Sequence, residues 1–523
     1  MTKKKSKHNF FFENNFISCE SNLNGFTEEI YREFDKKAKD LKLEQKINDL
    51  FEGKKVNKSE KRAATHVQLR DEIITKENKK IGRSFGNKFS EWCNESEKII
   101  VLGIGGSYWG NRLLIDFMSG QLNHDIQIAR NVNDLKDILD SDRTTRYRGG
   151  LTKVMTNDAP HPVKIHFYVL SKSFTTAETL QCLKLAKKLS NGSFEFTAIT
   201  SNKKEAKKHG IKNIISIDEG IGGRYSIWSK MSIPSFLNCT DPSLSSKDEK
   251  IEDSFDRMHT HAYIDFIRGG QWADKYLAGY SAVHDGAEYF EFVKRLAYSD
   301  IWFHNHANRN TRAIFSYHND LWALSHYFQQ LEMESLGKPA NPSSEFKKTG
   351  QVILSGLGQD AQHSYLQLFH QGTHNLCADI IAPPRWDYAD VDIFRDNENV
   401  LEYLSTLEDW NDADSDMLER AGKKDERPSL IYAQAFTQHK LLSTNTKKLK
   451  KIEKIKGDTP TNIFSLRQSN GLLTDRLRNL GFLIATWEHR VFITSVMLQI
   501  NPFDQFGVNA GKIYTNKYLA EYD

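Results

Sequence analysis

Cysteine is scarce. The chain has five in 523 residues, at Cys19, Cys93, Cys182, Cys239 and Cys377. They are odd in number, widely spaced and form no CxxC. That argues against a disulfide framework or a structural zinc site and fits a reducing compartment. Long apolar runs are missing too, since no stretch approaches the roughly 20 residues that cross a bilayer. The basic start MTKKKSKHNFFFENNF has its apolar run cut short by Glu13, Asn14 and Asn15, so it does not read as a signal peptide. Neither sign of charge is in excess: 72 Lys and Arg stand against 68 Asp and Glu, a net +4. A dedicated nucleic-acid binder needs clustered positive charge. The lysine runs, Lys3 to Lys5 and TNTKKLKKIEKIKGD, read as solvated faces. The expectation is a soluble, cytoplasmic protein without membrane or nucleic-acid partners.

What the chain does have is enough apolar material for more than one core. Hydrophobic residues make up 39% and aromatics 11%, and the length calls for at least two domains. Residues 1–89 are charged and read as helical, as in YREFDKKAKDLKLEQKINDLF. After Lys98 the texture changes to IIVL, GIGGS and YWGNRLLIDFM: a strand, a tight turn and a helix. KIHFYVLSKSFTTAETLQCLKLAKKL is a second such unit, and FEFTAIT and NIISI are further strands. Alternating strands and helices imply a mostly parallel sheet. Beyond residue 250 the stretches IWFHNHANRNTRAIF and LWALSHYFQQLEMESLG read as helices around the strands QVILSG and CADIIAP. The segment LLTDRLRNLGFLIATWEHRVFITSVML has apolar positions recurring at three and four, as a helix requires.

Three loops carry candidate chemistry. In VLSKSFTTAETL, Ser171, Ser173, Thr175 and Thr176 lie between a strand and a helix. Free N–H groups at a helix start favour an anion, and Lys172 adds charge. Ordinary N-capping would select the same hydroxyls. In GIGGS, Gly103 to Ser107 lets backbone approach a ligand. It matches neither GxGxxG nor a Walker loop. GGRYSIWS sets Arg224 after two glycines, where a guanidinium could stabilise developing negative charge or simply hold a turn. His363, His370 and His374 recur at i, i+7 and i+11, one face of a helix. No cysteine or carboxylate set completes a metal site around them.

Together these segments resemble the glucose-6-phosphate isomerase family. VLGIGGSYWG, VLSKSFTTAETL, GGRYSIWS, SHYFQQLEMESLGK, QHSYLQLFHQGT and WEHRVFITSVMLQINPFDQFGVNAGK follow in that order over roughly residues 90–515. The resemblance implies an α/β fold of two sugar-isomerase-type, doubly wound parallel-sheet domains with a helical N-terminal segment and a C-terminal helical arm. The boundaries it suggests are 1–89, 90–245 and 246–523. It implies a homodimer, no cofactor and no metal, and interconversion of glucose 6-phosphate and fructose 6-phosphate through a cis-enediol.

The resemblance also carries roles onto matching positions. Ser171, Lys172, Ser173 and Thr176 take the phosphate, Gly106 and Ser107 the sugar. Arg224 stabilises the enediol, Gln505 binds substrate and Lys512 helps open the ring. Two positions depart. Gly356 stands where the resemblance places a glutamate base, so Asp360 and Glu488 become candidate substitutes. Asp387 or Tyr388 stands near the position expected to supply a histidine to the neighbouring subunit. Three readings follow: an isomerase with a relocated base, an isomerase of a related phosphosugar, or a sugar-phosphate-binding homologue with weak or no turnover.

Overall fold

A computed structural model describes residues 9–78, 98–118, 125–141, 165–190, 194–237, 251–279, 284–382, 430–444, 450–467, 473–519 and 521. The chain opens on a hairpin, β1 (Asn9–Glu13) and β2 (Ile17–Asn22), followed by α1 (Glu28–Asp40), α2 (Leu43–Phe51) and α3 (His66–Asn78). The wholly helical reading of this segment therefore misses two strands. Their sequences, NFFFE and ISCESN, mix polar and apolar residues because only one face of β2 is fully buried.

The first sheet unit runs β3 (Lys98–Leu102), α4 (Gly106–Phe117), β4 (Asp125–Ala129), α5 (Val132–Ser141), β5 (Ile165–Leu170), α6 (Ala177–Leu189), β6 (Phe194–Thr200), α7 (Lys203–Lys208), β7 (Asn213–Ser216). All pairs are parallel, in the order β4-β3-β5-β6-β7. KIIVL and IHFYVL are buried along their whole length, as parallel strands covered on both faces must be. A 3₁₀ turn at Gly223–Trp228 and the short α8 (Ile233–Phe236) then lead out of this unit.

The second unit contains α9 (Ile251–Ala278), α10 (Gly286–Asn305), β8 (Thr311–Ser316), α11 (Trp322–Leu336), β9 (Val352–Leu357), α12 (Gly358–Gln362), α13 (Leu366–Gln371), β10 (Leu376–Ala382), α14 (Leu430–Ser443), β11 (Thr461–Leu466), α15 (Leu473–Leu498) and α16 (Asn509–Leu519). Its sheet has the order β1-β2-β11-β10-β8-β9. The four strands from β8 onward are parallel, and the N-terminal hairpin joins antiparallel across β11. The stretch expected as one helix, IWFHNHANRNTRAIF, is the end of α10 followed by β8. The polar NHANRN breaks the helical period there. Helix α15 is buried almost throughout and forms the spine of the largest core. Among the described residues no helix is long and apolar enough to cross a membrane.

Both sheets repeat one winding. In the first, β3 lies between β4 and β5; in the second, β8 lies between β9 and β10. The connections leave in opposite directions from such a strand, opening a crevice at the carboxyl ends of β3 and β5. The loops that follow those two strands are the glycine loop and the serine–threonine loop.

Candidate active site

The glycine loop is held tightly. Gly105 has φ +61°, and its carbonyl accepts the amides of Tyr108 and Trp109, both at 2.9 Å. Gly106 starts α4 directly against the arginine turn. A Cβ there would overlap the carbonyl of Gly223, so the contact requires glycine. Ser107 is half-buried, and its hydroxyl reaches Met231 Sδ at 3.6 Å.

The serine loop is wound on itself. Ser171 Oγ accepts the amide of Phe174 at 3.1 Å and lies 3.1 Å from Thr176 Oγ1. Ser173 Oγ lies 2.7 Å from Thr175 Oγ1. Phe174 is buried with φ +55°, a left-handed conformation rare for a bulky residue and typical of ligand loops. Thr176 is the N-cap of α6 and makes no side-chain cap, which leaves the first-turn N–H groups for an anion. Burial, then the nearby Arg62, push the Lys172 ammonium down to about 8. A cation destabilised in this way gains from a bound anion.

Arg224 is the hub. It is 1% exposed, and each of its three nitrogens donates a hydrogen bond. Nε donates to Ser335 Oγ at 2.7 Å, Nη1 to Gln505 Oε1 at 3.1 Å, and Nη2 to the carbonyls of Pro502 and Asp504. Nη1 also faces Glu334 Oε2 at 3.3 Å. Tyr327 donates to the Arg224 carbonyl at 2.8 Å. Lys338 braces the same loop through Asp504, at 3.1 Å to its carboxylate.

Glu334 and Gln330 were not singled out in the sequence, although both lie in SHYFQQLEMESLGK. They sit at i and i+4 on α11, one face of the helix. Gln330 Nε2 donates to Glu334 Oε2 at 3.3 Å, and its Oε1 is buried without a partner among the described residues. Both Gln330 and Arg224 reach Oε2 of Glu334, so Oε1 is unpaired among the described residues. The Glu334 side chain is 21% exposed. Gly105 lies beside the Gln330 amide. The structure thus brings together Gly106, Arg224 and Gln505 with Gln330 and Glu334. The only sequence signal was a carboxylate and an amide one helical turn apart.

The other candidates sit elsewhere. Gly356 is in the edge strand β9, and a Cβ there would stand 2.9 Å from the Tyr365 hydroxyl. Asp360 is exposed on α12. Glu488 is 3% exposed with both oxygens bonded: Arg70 Nη1 at 2.7 Å and Trp228 Nε1 at 2.6 Å. Burial pushes its pKa up to about 7. Arg70 is also gripped by both oxygens of Asp274, at 2.7 and 2.6 Å, so one guanidinium serves two carboxylates. Lys512 stands exposed on α16 and makes no hydrogen bond or ion pair among the described residues. The three histidines share no helix. A turn at 363–365 separates α12 from α13, because Ser364 and the His363 amide both cap the Asp360 carbonyl. His370 Nε2 bonds Gln438 at 2.9 Å. No grouping of His, Cys, Asp or Glu suited to a metal occurs among the described residues. Asp387 and Tyr388 lie outside them.

A family model described as phosphoglucose isomerase matches residues 21–523. The glucose-6-phosphate isomerase of Wigglesworthia glossinidia brevipalpis is 28% identical, covering 96% of this chain and 86% of its own length. That of Shewanella halifaxensis is 29% identical, covering 92% and 84%. A crystal structure of a glucose-6-phosphate isomerase from Chlamydia trachomatis superposes with TM-score 0.73 at 18% identity, over 100% of this chain and 91% of that one. The last likeness shows the shared fold.

Proposed function

Since the chain belongs to the phosphoglucose isomerase family, we propose that it interconverts glucose 6-phosphate and fructose 6-phosphate through a cis-enediol, with Glu334 moving the proton between C2 and C1. The observation that carries this reading is the Arg224–Glu334 pair, 3.3 Å apart, with one carboxylate oxygen unpaired among the described residues. The glycine loop lies beside it.

The chemistry follows from charge. At rest the Arg224 cation faces the Glu334 anion. When Glu334 takes the C2 proton, the carboxyl becomes neutral and the negative charge moves to the enediolate. Arg224 then faces a new anion without having to move, the preorganised arrangement that lowers such barriers most. Its N–H groups are fixed by Ser335, Gln505 and two carbonyls, so little reorganisation is needed. The phosphate rests on the Ser171–Thr176 loop at the start of α6, with Ser171, Ser173, Thr176 and Lys172 as its ligands. Gly106, Ser107, Gln330 and Gln505 take sugar hydroxyls. Ring opening falls to Lys512 on α16, the helix that follows the Gln505 segment. The reading includes a homodimer, supported by the exposed apolar side chains Phe506, Val508 and Ile513 at this end of the chain.

A sugar-phosphate-binding homologue without turnover was suggested by Gly356. Glu334 weighs against it, because a carboxylate is present beside Arg224. The test is turnover of fructose 6-phosphate by the purified protein, with Glu334→Gln prepared in parallel to expose contaminating host enzyme. Activity that vanishes in the variant supports the isomerase. Binding without turnover in the unaltered protein would favour the receptor.

A further inference from the structure

The row on α11 that carries Gln330 and Glu334 extends one turn back to His326. Its half-buried ring lies flat on Trp109 of α4, with centroids 4.6 Å apart and planes 15° apart. Trp322 meets both rings steeply, at 5.1 Å from His326 and 5.7 Å from Trp109. Behind His326, Ser355 of β9 bonds Nδ1 at 2.8 Å and donates to Gln329 Oε1 at 3.2 Å. Gln329 in turn donates to the Ile353 carbonyl at 2.7 Å. A hydroxyl has one proton. If Ser355 gives it to Gln329, Nδ1 of His326 must carry the other. These bonds hold the ring in its orientation, and burial lowers its pKa from the usual imidazole value.

The placement matters because the site is split between two units. Gly106 and Ser107 ride on α4 of the first sheet unit, while Gln330 and Glu334 ride on α11 of the second. Trp109 is in the first turn of α4, and its amide closes on Gly105 at 2.9 Å. Any shift of the Trp109 ring across His326 moves the glycine loop relative to Glu334. Errors of about 1 Å in such a spacing can cost a hundredfold in rate.

We propose that His326 is a positioning residue: its ring, anchored by Ser355 and stacked on Trp109, sets the spacing between the glycine loop and the Gln330–Glu334 row, and thereby how well a sugar phosphate spanning both is held. The functional half rests on the isomerase reading; the structural half does not. Three variants separate the parts. His326→Ala removes ring and anchor, His326→Phe keeps a flat ring without the anchor, and Ser355→Ala keeps the ring and frees it.

Two readouts decide. Hydrogen–deuterium exchange over residues 105–112 reads the clamp without any ligand. It should rise in His326→Ala and return most of the way in His326→Phe. No rise in His326→Ala overturns the clamp. Calorimetry reads its consequence: affinity for fructose 6-phosphate should fall about threefold to tenfold in His326→Ala, the range of an aromatic pair. Affinity for inorganic phosphate should not change, because the serine loop belongs wholly to the first unit. Equal loss for both ligands would mean general loosening and overturn positioning. If the unaltered protein binds no fructose 6-phosphate, the isomerase reading fails, and the exchange experiment still decides the clamp.

Discussion

Glu334→Gln isolates the proposed proton transfer. The amide is nearly isosteric and can still accept at one oxygen, so the Gln330 contact at 3.3 Å can persist. What disappears is basicity. Loss of a positioned general base costs about a hundredfold to ten-thousandfold, which is about 3–5 kcal/mol of barrier. Binding should move the other way or not at all. Arg224 keeps its neutral acceptors, Ser335, Gln505 and the Pro502 and Asp504 carbonyls, but loses its carboxylate partner. A buried cation freed of its counter-charge attracts an anionic ligand more strongly. The expected signature is therefore kcat down by at least a hundredfold with KM unchanged or lower, the pattern of an interaction made in the transition state. A coupled assay with fructose 6-phosphate measures both constants. Asp360→Asn, on the exposed face of α12, should match the unaltered enzyme. If Glu334→Gln keeps more than about a tenth of kcat, or if Asp360→Asn is the variant that loses it, the assignment is wrong.

Burial brings Lys172 to about 8, so it loses its charge above that pH unless a phosphate dianion holds the proton. KM should rise about twofold from pH 7 to 8 and more steeply above it, by at most tenfold per unit, while Lys172→Met should show a raised, flat KM; steady-state kinetics across pH check both. Gly106→Ala drives a methyl into the Gly223 carbonyl and should push the glycine loop off the arginine turn. It should lower kcat/KM at least tenfold and stability by about 1–3 kcal/mol, read by kinetics and urea unfolding. Glu488 is a carboxyl raised from 4.5 to about 7, so between those values the folded chain holds a proton that the unfolded chain releases. Stability should fall as pH rises through that window, by roughly 3 kcal/mol in all. In Glu488→Gln that slope should flatten when urea midpoints are compared at pH 5 and pH 8.

What the sequence disclosed and what it hid follow from where polar groups sit. KIIVL, IHFYVL and LCADIIA are readable as strands because they are buried on both faces and nearly all their residues are apolar. TNIFSL is just as buried but escapes notice. Its polar residues are satisfied inside the sheet: Asn462 donates to Asp379 and accepts from Ser21, both at 2.6 Å. The site loops could be read because glycine, serine and threonine mark the turns after β3 and β5. Glu334 could not, because a carboxylate on a helix looks like any solvated position until the helix is known to face Arg224. The same blindness made His363, His370 and His374 look like one face of one helix.

The contrast between Glu334 and Glu488 shows why environment, rather than residue type or order in the chain, decides which carboxylate can act. Each pairs with a buried arginine, and the two pairs are linked through one 3₁₀ turn, since Arg224 and Trp228 both belong to Gly223–Trp228. Glu488 spends one oxygen on Trp228 and the other on Arg70, whose plane stacks on the Trp228 ring at 4.5 Å. It is buried and has no oxygen left for a substrate. It pins the arginine turn from behind. Glu334 meets that turn with a single oxygen, and its second is unpaired among the described residues. A carboxylate that is to accept a proton from carbon needs that open lone pair and a neighbouring cation that stays when the charge moves. Of the two, Glu334 alone has both. Trp228→Phe gives a way to see the difference: removing the indole N–H should unpair one Glu488 oxygen and raise its pKa further. It should steepen the stability loss between pH 5 and 8 and shift Arg224 only through the turn. A Trp228→Phe enzyme that loses turnover as completely as Glu334→Gln would mean that the rear support, and not the open carboxylate, limits the chemistry.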